Sequence, residues 1–123
     1  MGDGRLGRDF AEALAAKDYE RVTEVLDPNV DFRGLTPRRA WEAETSGEFV
    51  SDVLVHWFEE SDEIDELTTL ETGGVGDRER VAYQFRGHNE DGPFVVEQQA
   101  YYATSGGRIT WLRVLCSGFR PAA

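Results

Sequence analysis

Residues 93–119, PFVVEQQAYYATSGGRITWLRVLCSGF, read as two long strands joined by a tight turn. Pro93 to Thr104 is the first, Ser105-Gly106-Gly107 the turn, and Arg108 to Phe119 the second. Both strands carry apolar residues on both faces, so their sheet is expected to be covered on both sides. That pattern points to a curved sheet wrapped around an interior and packed against something outside.

Working backwards, Glu79 to His88 alternates Val81, Tyr83 and Phe85 with Ala82, Gln84 and Arg86, and Asn89-Glu90-Asp91-Gly92 turns it into its hairpin partner. Gly73-Gly74-Val75-Gly76-Asp77 is turn chemistry and not a phosphate cradle, because no Gly-Lys-Ser/Thr ending or helix follows. Ile64 to about Thr72 is a further strand. The clearest helix is Gly47 to Glu60, with Phe49, Val50, Val53, Leu54, Trp57 and Phe58 on one stripe. Leu6 to Ala16 is a first helix facing Phe10 and Leu14 inward. Asp18 caps a second, short helix that Asp27-Pro28 stops. Asn29 to Gly34 alternates as a half-buried strand, and Pro37 opens a loop or one-turn helix that places Trp41 and Glu42. Residues 1–5 and 120–123 read as a flexible start and a tail.

Three helices with one strand interposed, followed by four antiparallel strands, make an α+β domain. Twist accumulates along such strands, so the sheet should curl into a cone that the helices close. At 123 residues the chain is one domain, able to bury roughly two-thirds of its unfolded surface. A formal charge of -11, with 13 basic residues against 24 acidic, argues against nucleic acid and anionic membranes. No apolar run of spanning length and no secretory h-region is present, so the cytoplasm is the default compartment. A single cysteine, Cys116, excludes an internal disulfide. Nothing calls for a metal or cofactor. The acidic run from Glu59 to Glu66 could meet a basic partner, though such runs are usually solvated.

Several stretches resemble the SnoaL-like branch of the nuclear-transport-factor-two-like superfamily. They are Ala13-Leu14-Ala15-Ala16-Lys17-Asp18-Tyr19, Val30-Asp31-Phe32, Val53-Leu54-Val55-His56-Trp57-Phe58 and Gly107-Arg108-Ile109-Thr110-Trp111-Leu112-Arg113. The resemblance spans nearly the whole chain and implies a cone-shaped α+β barrel of the kind used by ketosteroid isomerases, polyketide cyclases and limonene epoxide hydrolases. It specifies fold well and chemistry poorly. The three catalytic positions of the ketosteroid isomerases read Phe10, Gly34 and Gln99 here, and none of these can move a proton.

The resemblance also implies the facing of the strands. Val81, Tyr83 and Phe85, then Glu97, Gln99 and Tyr101, then Leu112, Val114 and Cys116 should point inward, joined by Phe10, Phe32, Val53 and Trp57. The implied site is an apolar, aromatic pocket. In it Glu97 is the acid or base, because a desolvated carboxylate titrates closer to neutrality. Tyr101 and Tyr83 offer hydroxyls, Gln99 orients a carbonyl, and Cys116 is a buried thiol. His56 and His88 read as surface residues, and Trp41 is a lid or a plug. Val96, Ala100, Tyr102, Ile109, Trp111 and Leu115 would then form a convex apolar patch suited to a homodimer. The expected function is binding of a small apolar molecule, with cofactor-free isomerase, cyclase, dehydratase or hydrolase chemistry if it is an enzyme. The rival is a non-catalytic ligand-binding or dimerising module.

Overall fold

A computed structural model describes residues 4–122. The expected flexible start lies partly outside them, at residues 1–3, as does residue 123 of the tail. Helix α1 spans Arg5–Ala15 and buries Phe10, Ala13 and Leu14. Lys17 then takes a left-handed conformation and breaks the helix. The Asp18 carboxylate accepts from the Arg21 N–H and starts α2, Tyr19–Val25. The third helix, α3, covers 46–57 as three consecutive pieces: Ser46–Glu48, a π-helical turn Phe49–Leu54, and Val55–Trp57. The Thr45 hydroxyl caps it by accepting from the Glu48 N–H. In the wide turn the Val55 N–H reaches back to the Val50 carbonyl, five residues away. Such a turn shifts the helix phase, which sets the direction of Trp57 at the helix end.

The strands are β1 (Leu26–Thr36), β2 (Arg39–Ala43), β3 (Glu63–Val75), β4 (Arg78–Asn89), β5 (Gly92–Ser105), β6 (Arg108–Cys116) and β7 (Arg120–Pro121). They form one sheet in the order β2-β1-β6-β5-β4-β3, with β7 added to β5. Strands β1 and β6 run parallel and every other pair is antiparallel. The α+β class is as expected, and several details differ. Trp41 lies on a strand, not on a loop or one-turn helix, because β1 turns tightly at Pro37-Arg38 and returns as β2. The second strand of the C-terminal hairpin ends at Cys116, and part of the expected tail pairs with β5. Strand β3 runs on through Gly73 and Gly74, leaving only Gly76-Asp77 as the turn.

The helices cover one face of the sheet, and aromatic rings fill the space between. Phe32 and Phe49 lie 4.5 Å apart, Tyr83 and Phe85 5.2 Å, and Phe10 contacts both Phe49 and Tyr83. Edge-to-face and tilted contacts of this kind add stabilisation beyond the buried area. The far end is tied by Lys17, whose ammonium donates to the Glu59 and Asp62 carbonyls, and by buried Asp62, which accepts from Asn89.

Gly7 is where α1 meets the sheet. Its N–H donates to the Tyr102 hydroxyl at 3.1 Å, and a Cβ there would come within 2.6 Å of that oxygen. Tyr102 is fully buried and has nowhere to retreat. Gly7→Ala is therefore expected to lower stability by about 1–3 kcal/mol through overpacking, read as a lower urea midpoint. At the β3–β4 edge the His88 ring lies 2.8 Å from Asp65 and 3.6 Å from Glu63, and the Asp65 hydrogen bond with these charges raises its pKa above 6.5. A raised pKa in a basic group contributes stability that is fully present below 6.5 and lost as pH rises through the folded value. His88→Asn should thus destabilise more at pH 6 than at pH 9, as judged by melting midpoints.

Candidate functional site

The first finding at the site is a reversal on β5. Asn89 pairs with Gly92 across a two-residue turn, so Tyr83 pairs with Gln98, Phe85 with Val96 and Val81 with Ala100. Cross-strand partners share a face, and a shift of one residue exchanges the faces. Glu97, Gln99 and Tyr101 therefore point outward, not into the cone. Glu97 and Gln99 are exposed, and the desolvation on which an acid-base role for Glu97 rested is absent. Tyr101 donates only to Gln99. Val96, Ala100 and Tyr102 are core residues and not part of a convex patch. Ile109 is also core, because a bulge near Ala103 and Thr104 turns it inward. The polar residue among the inward positions of β5 is Gln98, 2% exposed. The length of the turn carried this signal, since a two-residue loop after inward odd positions on β4 puts even positions inward on β5.

The other expected pocket residues do face inward, but most fill the cone rather than line a void. Phe10, Phe32, Val53, Phe85 and Leu112 are packed against one another and the helices. Val114 is buried at the sheet. Only the mouth is open. There a cleft of about 470 Å³ is bounded by Thr36 to Arg38, Trp41, the end of α3 at His56 and Trp57, and Gln98, then by Cys116 to Phe119.

Two residues bordering this cleft each carry a buried N–H without a hydrogen-bond partner: Trp57 at Nε1 and Gln98 at Nε2. Gln98 is held by Tyr83, whose hydroxyl donates to Gln98 Oε1 at 2.6 Å. Burial holds the Tyr83 hydroxyl well above its ordinary pKa, and the nearby Cys116 thiol adds to this, so Tyr83 stays a donor. The carbonyl end of Gln98 is thereby occupied, and its amide end lies against the Cys116 sulfur without completing a hydrogen bond. Cys116 sits beside it. Burial pushes the thiol up, outweighing the Gln98 amide and the Gly118 N–H that would favour a thiolate. A thiol so placed is a poor nucleophile.

Trp41 is neither lid nor plug but wall. Its indole N–H donates to Thr36 Oγ1 at 2.8 Å, its ring meets Trp57 edge-on at 6.1 Å, and exposed His56 stacks on its other side. The Arg39 guanidinium lies 3.6 Å over the same ring. The β1–β2 tip closes the rim. A Cβ at Gly118, φ 78°, would come within 3.0 Å of Pro37, so glycine there lets the tip sit down. Arg38 takes φ 74°, a left-handed conformation that seldom suits a side chain of that size.

On the outer face a broad trough of about 1,010 Å³ crosses the sheet past Leu35, Leu115, Gln99 and Ala82, with Glu97 and Arg80 beside them. It shares Gln98 and Cys116 with the mouth cleft as a common wall. Trp41, Trp57 and Phe119 supply the aromatic part of the mouth cleft's border. Among the described residues lining it there is no carboxylate to act as a base.

No family model and no curated protein matches this chain. Solved structures do. An isomerase candidate from Bacillus subtilis superposes with a TM-score of 0.72 at 18% identity, covering 92% of this chain and 84% of that one. An NTF2-like protein from Burkholderia thailandensis gives 0.68 at 17%, covering 92% and 88%. A polyketide cyclase candidate from Xanthomonas campestris gives 0.68 at 18%, covering 89% and 86%. At such identities the likeness speaks for architecture alone. The helices, the curved mixed sheet and these superpositions agree: the chain has the nuclear-transport-factor-two-like fold.

Proposed function

We propose that this domain binds a small, flat, largely apolar molecule in the mouth cleft, gripping one of its oxygens with Trp57 and Gln98. The observation that carries this is a pair of buried N–H groups without acceptors, the Trp57 indole and the Gln98 amide, on two residues that border one cavity. Leaving a buried donor unmade costs about 1–3 kcal/mol each, so an acceptor that enters the cleft recovers that cost. If the domain is an enzyme, the same two donors polarise a carbonyl or epoxide oxygen, the electrostatic part of cofactor-free isomerase, cyclase or hydrolase chemistry. The absence of a lining carboxylate favours the non-catalytic ligand-binding reading over that one.

A thermal-shift screen against hydrophobic ketones, lactones and epoxides tests the proposal, because a ligand of the folded form alone must raise the melting midpoint. Trp57→Phe keeps the aromatic filling and removes the N–H. It should weaken the best hit about fivefold by calorimetry, the worth of one net hydrogen bond. Unchanged affinity in this variant would move the site elsewhere.

We also propose a second copy of this chain as the partner of the outer sheet face. Leu35 and Leu115 pair across β1 and β6 there, 54% and 56% exposed, with Ala40, Ala82 and Tyr101 around them and Trp111 further along β6. The face carries both signs of charge, Arg33 and Arg80 with Glu42 and Glu71, so a two-fold axis can set unlike charges together. This keeps Trp111 and Leu115 from the expected patch and replaces its other members. Light scattering at about 50 µM should return a mass near twice the 13.8 kDa of one chain. Leu115→Arg should halve it while leaving the melting midpoint of the monomer intact, and a monomeric parent chain at that concentration rules the contact out.

A further inference from the structure

We infer that the mouth cleft selects carboxylates over neutral oxygen ligands of the same shape, an inference that rests on the ligand-site reading above. Three observations converge. The first is what lines the cleft. In a chain with 24 acidic residues among 123, none of the lining residues is Asp or Glu, while Arg38 and His56 are both present. An anion entering this mouth meets no like charge on its walls.

The second is the donor pair. A carboxylate has two oxygens, both acceptors, and the two free N–H groups stand on different elements, Trp57 on α3 and Gln98 on β5. One oxygen for each donor satisfies both. A ketone must share a single oxygen between them, and an amide brings an N–H that faces two more. Hydrogen bonds to an ionised acceptor are also roughly twice as strong as neutral ones. The aromatic side chains on the cleft's border, Trp41, Trp57 and Phe119, suit a carboxylate carried on an aryl or conjugated skeleton.

The third is Arg38. It follows Pro37 at the β1–β2 tip, in a left-handed position where Gly or Asn would sit without strain. It makes no ion pair among the described residues, unlike Arg21, Arg78, Arg80 and Arg113. A strained cation at the lip, with no carboxylate of its own, supplies the counter-charge that a buried carboxylate needs. Strain observed at a rim is the direction in which such an argument runs, from outlier to role.

The experiment uses matched probes on the intact chain: 2-naphthoate against 2-acetylnaphthalene, and cinnamate against 4-phenyl-3-buten-2-one, titrated by calorimetry at pH 7. Each carboxylate should bind about tenfold tighter than its ketone. Arg38→Asn, which tolerates the left-handed backbone, should cost the carboxylates about tenfold and the ketones less than about twofold. Ketones that bind as well as carboxylates overturn the selectivity and leave the cleft as the ligand site. An equal loss for both classes in Arg38→Asn makes the arginine a steric element and also overturns it. If neither class binds at millimolar concentration, the ligand-site reading falls with it.

Discussion

Asn89 and Gly92 close the β4–β5 turn as a cross-strand pair, and every side-chain direction on β5 follows from that pairing. With two residues in the loop, inward positions on β4 are odd and those on β5 are even. Tyr83 then stands opposite Gln98, and the 2.6 Å hydrogen bond between them can form in the interior. One residue more in the turn would place Glu97 or Gln99 under the aromatic core and send Val96, Ala100 and Tyr102 into water. The core would lose three of its buried side chains, a cost far above the few kcal/mol that hold a domain of this size. Register is therefore fixed by apolar burial, and the position of the site is a consequence of it.

The polar content of the interior is small and one-sided. Tyr83, kept protonated by burial, donates its O–H to the carbonyl end of Gln98 and leaves the amide end beside the Cys116 sulfur without a completed hydrogen bond. The Trp57 indole is in the same condition. Buried polar groups in folded proteins are nearly always paired, so two unpaired donors around one cleft are unusual company. A leucine at 98 and a phenylalanine at 57 would remove both liabilities. Their presence suits a site built for an acceptor better than one built for stability.

Much of the architecture was legible because it depends on local pattern. The apolar stripe from Phe49 to Phe58, the Asp18 cap and the Pro93–Phe119 hairpin each follow from spacing that a short window contains. The π turn in α3 was not legible, because Phe49, Val53, Leu54 and Trp57 fit an α-helical stripe almost as well. The β2 strand was hidden by its brevity and by the Pro-Arg turn before it. On β5 the residues Val95, Val96, Ala100, Tyr101 and Tyr102 are apolar on both faces, so alternation alone could not say which face is inside. Alignment to a distant family answered wrongly where the turn length would have answered correctly. The two free donors were beyond any local reading, since a donor is unpaired only by virtue of what the whole fold puts around it.

The distribution of charge bears on what the cleft can do. Apart from buried Asp62, the acids of the described residues lie towards the outside, where they repel anions at long range, an effect that salt screens beyond about 8 Å at physiological strength. Inside the mouth the sign is reversed, with donors and a guanidinium and no acceptor-only group on the walls. A site of this kind can hold and polarise an oxygen, and the exposed imidazole of His56 is the lining side chain able to take a proton. Cys116 does not fill the role, since its burial works against the thiolate. Proton-abstracting isomerisation would fall to His56 at the exposed rim, whereas recognition of an anionic or strongly polarised oxygen needs nothing further. On the proposed reading the walls serve recognition first, on a fold that can accommodate binding or catalysis.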